Sequence, residues 1–148
     1  MSMIVCSSPE EVPAGWYLWD CALSGGDLRE CLQSLMSASG GHLCVRLAAV
    51  FMDFSLPCPA GQGEILTLEQ LRARQNGAPC YFSPGLCAEY CTFLQGQTAH
   101  VLLYDSPDSL RAKFRTAEAC GVPMALIEDP GIRRMLDVPR EQTGRKTF

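Results

Sequence analysis

Apolar positions along this chain follow two periods, and the changes between them mark its elements. The short apolar runs Val101–Tyr104 and Met124–Ile127 read as strands, and between them Leu110, Phe114 and Ala117 recur at helical spacing. Ser106-Pro107-Asp108 supplies a cap, a proline suited to the first helical position and an acid favourable to the helix dipole. Gly121 stands where a left-handed C-terminal cap belongs. The unit is strand, helix, strand. With a helical connection and no hairpin turn, the two strands are expected to lie parallel, joined by a right-handed crossover.

The same signals divide the rest of the chain. Met3–Cys6 is a candidate short strand, and Ser7 to Gly15, with two prolines and too few residues for a crossover helix, reads as a loop. Trp16–Asp20 is an aromatic-rich strand ending in a carboxylate. Asp27 with Glu30 three residues on opens a helix whose buried face is Leu28, Cys31, Leu32, Leu35 and Met36, and Gly40-Gly41 ends it. His42–Phe54 reads as one long apolar strand running into the turn-forming segment that begins at Leu56-Pro57. Thr67-Leu-Glu-Gln70 predicts a helix over Leu68–Gln75 that stops at Asn76-Gly77. From Pro79 to Gln97 two readings compete. Cys87, Cys91 and Leu94 suit a helix, whereas Tyr90, Thr92 and Leu94 alternate toward a Gln95-Gly96 turn and suit a hairpin with Thr98–Tyr104. Pro130–Leu136 predicts a last helical turn, followed by a flexible tail over 137–148.

Composition narrows the classes. At 148 residues the chain is one domain, shorter than the roughly 250 residues of a complete eight-stranded α/β barrel. Its 47% apolar and 19% charged residues describe a folded chain, and a net charge of −4 gives no reason to expect nucleic acid as a partner. Arg133-Arg134 and the basic residues from Arg140 to Lys146 are interleaved with Asp137 and Glu141, the pattern of a solvated tail. Nine cysteines are scattered through apolar runs without a Cys-x-x-Cys pair, which reads as buried small hydrophobes in a reduced, cytoplasmic setting. His42 and His100 complete no zinc-ligand spacing, so no metal and no cofactor is expected. The amino terminus lacks the basic flank and apolar core of a signal peptide, and no stretch is apolar enough for a membrane span.

Several local strings resemble the carboxy-terminal half of family-18 glycoside hydrolases, the chitinase-like enzymes, and especially their spore peptidoglycan hydrolase branch. Tyr17-Leu-Trp-Asp20 stands where members carry a strand ending Met-x-Tyr-Asp, keeping the aspartate and replacing the tyrosine with Trp19. Val45–Pro57 can be laid without a gap on the family's Leu-Gly-Ile-Pro-Thr-Tyr-Gly-Tyr-Asp-Trp-Thr-Leu-Pro strand, retaining Asp53, Leu56 and Pro57 but not the glycines and tyrosines. His100, Ser109 and Lys113 fall in a later strand and helix of the pattern, with Tyr104-Asp105 resembling a Tyr-Asp pair. Ile127 or Glu128 stands where a sugar-stacking tryptophan often ends the final strand.

The resemblance implies a fold class of α/β, a partial, half TIM-barrel-like parallel sheet over 16–136 after an N-terminal segment 1–15, with a small α+β insertion at about 58–99. It favours the hairpin for Tyr90–Tyr104. It also implies an absence: the family's Asp-x-x-Asp-x-Asp-x-Glu, whose glutamate is the general acid, does not occur in this sequence. The leading expectation is therefore a non-catalytic chitinase-like domain for carbohydrate binding or protein interaction. A glycoside hydrolase completed by a partner half barrel and an unrelated small α/β protein are the alternatives.

Each candidate residue has a functional and an ordinary reading. Trp16 and Trp19 stack on a sugar or fill the core; Asp20 orients an acetamido group or begins a turn. Asp53 and Phe54 end a strand on the side where α/β barrels place their sites, or are loop residues. Tyr104 joins these by the resemblance. Glu128 follows a strand and would form a carboxylate pair with Asp20 in the enzyme reading. His100 is a hydrogen-bonded strand residue before it is a base. The expected partners are an N-acetylated glycan and either a second copy or a partner protein covering open edges at Tyr17–Asp20 and Met124–Ile127.

Overall fold

The computed structural model describes residues 3–21, 26–57 and 63–136, which build two sheets. The first contains β1 (Ile4–Cys6), β2 (Tyr17–Asp20), β3 (Leu43–Arg46) and β9 (Met124–Leu126), all parallel, in the order β1-β9-β3-β2. The second is antiparallel, in the order β5-β4-β8-β7-β6, from β4 (Phe51–Leu56), β5 (Glu64–Ile65), β6 (Cys80–Ser83), β7 (Ala88–Gln95) and β8 (Thr98–Tyr104). Helices α1 (Leu28–Ala38), α2 (Leu68–Gln75), α3 (Pro107–Ala119) and α4 (Pro130–Met135) complete the chain, with a 3-10 turn at Pro9–Glu11. The fold class is the expected α/β with a parallel sheet and helices.

The helices form where their caps predict. The Asp27 carboxylate accepts the Glu30 N–H, Thr67 and Gln70 exchange the two bonds of a capping box around α2, and Ser106 and Ser109 do the same around α3. Alternation then gives each face of the parallel sheet a separate core. Val5, Val45, Leu47, Ala125 and Ile127 pack with Leu28 and Leu32 of α1, Leu110 and Phe114 of α3 and Ile132 of α4. Cys6, Cys44, Met124 and Leu126 face the other way, and Val12 and Trp16 pack on them. The chain from Ser7 to Trp16 thus crosses the sheet on the face opposite the helices, joining its two outermost strands. Travel from β1 to β2 runs opposite to travel from β2 through β3 to β9. The change of face gives every crossover the same hand, as right-twisted strands require.

Three expectations are corrected. Val101–Tyr104 lies in β8, whose two sides are taken by β4 and β7, so it does not pair with the Met124 strand, which lies between β3 and β1. The Met124–Ile127 strand is therefore buried and interior rather than an open edge, because the short β1 covers it. The apolar run His42–Phe54 is two strands in two sheets, with Leu47–Val50 crossing between them. The antiparallel sheet extends from Phe51 to Tyr104. Of the competing readings for Pro79–Gln97 the hairpin is correct: Gln95 pairs with Thr98 across a two-residue loop, and Gly96 takes the positive φ of 64° that such a turn requires. The Pro130–Leu136 turn is α4; the tail 137–148 and most of the turn after Pro57 lie outside the described residues.

Candidate functional site

Register fixes which side chains share the carboxyl end of the parallel sheet. Asp20 pairs with Arg46, and Arg46 with Leu126, so Asp20, Arg46 and Leu126 point to one face, and Glu128, two residues past Leu126, follows on it. This is the face crossed by Ser7–Trp16. There the Arg46 guanidinium donates to the Glu128 carboxylate, with 42% and 38% of the two side chains exposed. Asp20, also exposed, stands on the strand beyond Arg46. Along the same edge Arg133 of α4 donates to Ser7 Oγ at 2.8 Å, and Ser7 N–H donates to Glu11 Oε1 at 3.1 Å. The chain leaves β1 toward this face and leaves β9 toward the helical face, where Ile132 packs. The carboxyl ends of the strands are the usual ligand position of open parallel sheets.

The expected carboxylate pair is therefore not a bare one. Arg46 lies between Asp20 and Glu128 in the strand order and pairs with Glu128. The two tryptophans do not make a common platform. Trp19 packs into the helix-facing core, whereas Trp16 sits before the amino end of β2, edge-on to His42 with ring centroids 5.3 Å apart. Asp20 and Trp16 thus flank opposite ends of one strand.

Asp53 belongs to a separate polar cluster in the antiparallel sheet. It is 5% exposed; Oδ1 lies 2.7 Å from His100 Nδ1 and Oδ2 accepts from Arg74 Nη1 at 2.7 Å. Arg74 also grips Glu64 through two bonds of 2.8 and 3.1 Å. That hydrogen-bonded guanidinium holds the Glu64 carboxyl below its usual range, and its two carboxylate partners raise the Arg74 pKa. His100 stacks flat on Phe93, with centroids 4.9 Å apart. A histidine so held on a sheet is a structural residue, its ordinary reading. Phe54 points to the other face of the same sheet, next to Gly63, where a Cβ would meet the Phe54 ring at 2.9 Å. The Tyr104 hydroxyl accepts from Gln75 Nε2 at 3.2 Å, and burial raises its pKa. None of Asp53, Phe54 and Tyr104 lies on the parallel sheet that carries Asp20 and Glu128.

Arg46, Ser7 and Arg133 were absent from the residues the sequence suggested. Arg46 carries a readable signal, a cation ending the apolar run Leu43-Cys-Val, and the assumption of one strand through Phe54 concealed it. Burial pushes the Cys21 and Cys44 thiols up to about 12, which makes them core residues rather than nucleophiles. Among the described residues no cluster of His, Cys, Asp and Glu is arranged to hold a metal ion, and no helix is long and apolar enough to cross a membrane.

No protein-family model matches the sequence, and no curated protein matches it significantly. Solved structures do match the fold. A chitinase from Chromobacterium violaceum superposes with a TM-score of 0.59 at 14% identity over 88% of this chain and 46% of its own. The spore cortex-lytic enzyme SleL of Bacillus cereus gives 0.56 at 12% over 72% of this chain and 28% of its own. The structure of ydhD from Bacillus subtilis gives 0.51 at 12% over 66% of this chain and 35% of its own. The fold is thus similar to that of chitinase-like α/β barrels, and the chain spans less than half the length of each of these three proteins.

Proposed function

We propose, from a fold shared with chitinase-like barrels, that this chain is a non-catalytic domain that binds an N-acetylated glycan at the carboxyl ends of its parallel strands. One observation carries the reading: Arg46 and Glu128 form an exposed ion pair on the face and at the strand ends where Asp20 also stands. A sugar offers hydroxyl and amide groups that both donate and accept. A guanidinium flanked by carboxylates meets them with fixed donors and fixed acceptors. The Arg46–Glu128 pair offers recognition of a glycan, and the Asp-x-x-Asp-x-Asp-x-Glu string that carries the general acid of chitinase-like enzymes does not occur in the sequence.

The test is calorimetric or NMR titration of the whole chain with N-acetylglucosamine oligomers. Saturable binding that Arg46→Ala abolishes and Trp16→Phe leaves unchanged is expected. No interaction at millimolar oligomer, or binding indifferent to Arg46→Ala, rejects the reading.

A second reading, a glycoside hydrolase working with a partner half barrel, is favoured by the 28–46% of those three structures that the chain spans. It requires a partner that brings the general acid. Hydrolysis of chitin oligomers by this chain alone, lost in Glu128→Gln, would displace both readings.

A further inference from the structure

Cys80 and Cys91 face each other on adjacent strands. They are direct register partners in the antiparallel pair β6–β7, and directly opposed residues in such a pair have Cα atoms about 4.5 or 5.5 Å apart, within the ~4.4–6.8 Å that a disulfide spans. Both thiols are free. Their surroundings differ. Cys80 is the one exposed cysteine among the described residues, with its sulfur 2.6 Å from Gln75 Nε2 and 3.4 Å from the Ala78 carbonyl oxygen. Cys91 is fully buried, beside Leu66, Leu71 and Leu102.

We propose that Cys80 and Cys91 are a redox modification site, closing a reversible intramolecular disulfide when hydrogen peroxide reaches the surface at Cys80. The exposed sulfur reacts first. The Cys80 thiolate attacks the outer peroxide oxygen, the O–O bond breaks, one water leaves and Cys80 becomes a sulfenic acid. The Cys91 sulfur then attacks the Cys80 sulfur, the S–O bond breaks, and the departing hydroxide takes the Cys91 proton as a second water. Two thiols are oxidised and one peroxide is reduced. Burial pushes the Cys91 thiol up to about 11, which suits it to the second, resolving position, where proximity replaces thiolate abundance.

The bond would tie the outer strand β6 to β7 and draw the Cys80 sulfur away from Gln75 at the end of α2. The experiment treats the folded full chain with hydrogen peroxide and follows free thiols and non-reduced peptide maps. Loss of two titratable thiols, a Cys80–Cys91 cross-linked peptide as the main product, its reversal by dithiothreitol and slower amide exchange across Cys80–Ser83 are expected. Cys80→Ser, an exposed change, is expected to abolish the cross-link while leaving the circular dichroism spectrum unaltered. Over-oxidation of Cys80 without cross-linking, or cross-links spread equally over other cysteine pairs, would overturn the proposal. Cys91→Ser repeats the test from the buried side, and the Cys80→Ser result decides if that variant does not fold.

Discussion

Lys113 Nζ lies 2.7 Å from Asp105 Oδ1, and neither side chain is more than 1% exposed. The same carboxylate accepts Ser109 Oγ at 2.8 Å and the Val50 N–H at 3.1 Å, and the Asp105 N–H returns a bond to the Val50 carbonyl at 3.0 Å. Val50 lies where the chain enters the antiparallel sheet and Asp105 where it leaves. The buried pair therefore clamps the two crossings between the sheets.

Removing one partner strands the other charge away from water. Asp105→Asn or Lys113→Met is expected to cost about 3–5 kcal/mol in urea unfolding, whereas Asp105→Asn combined with Lys113→Met costs less than the sum of the two. Single variants within about 1 kcal/mol of the wild type would show that the pair is not the clamp.

The Glu64–Arg74 pair gives a pH dependence whose sign is fixed. Because the hydrogen bond from Arg74 lowers the folded carboxyl pKa, the stabilisation is complete above the unfolded glutamate value of about 4.3 and disappears as pH falls through the lower folded value. The wild type is expected to melt above Glu64→Gln at pH 7, with the gap closing by about pH 3. A gap that widens on acidification contradicts the assignment.

At β2 the parallel sheet ends in an edge that no described strand covers, with Tyr17 52% and Leu18 41% exposed. Such an edge recruits another strand unless charged or shielded. Sedimentation at micromolar concentration is expected to show a species heavier than the monomer, and Leu18→Lys, which places a charge beside the edge, is expected to return it to monomer without lowering its melting temperature. An interface stable enough to be seen buries on the order of 1,200 Å². A monomer with slowly exchanging β2 amides would refute self-association.

What the sequence made legible was local. Helix α2 occupies the residues between its Thr67 cap and Asn76, which takes a φ of 32°, because caps and left-handed stops act within a few residues. Strand partners are set by distant segments. Nothing in Val101–Tyr104 says that β4 and β7 compete for it, and Leu47-Ala-Ala-Val50 is as apolar as the strands it separates, so a crossing between sheets reads as continuous strand. The site follows the same division. Asp20 and Glu128 could be picked out as acids after apolar runs, whereas Arg46 became meaningful only when register placed it between them.

The passage of Ser7–Trp16 over the inner face bears on how any larger assembly would form. In a closed barrel that face looks into the interior, and here Val12 and Trp16 already rest on Cys6, Cys44, Met124 and Leu126. A partner bringing further strands would compete with a tethered occupant whose effective concentration, for so short a connection, is on the order of millimolar. Assembly would then be an exchange: the segment must leave before the partner can settle, so the association rate would level off at the rate of that departure however much partner is supplied.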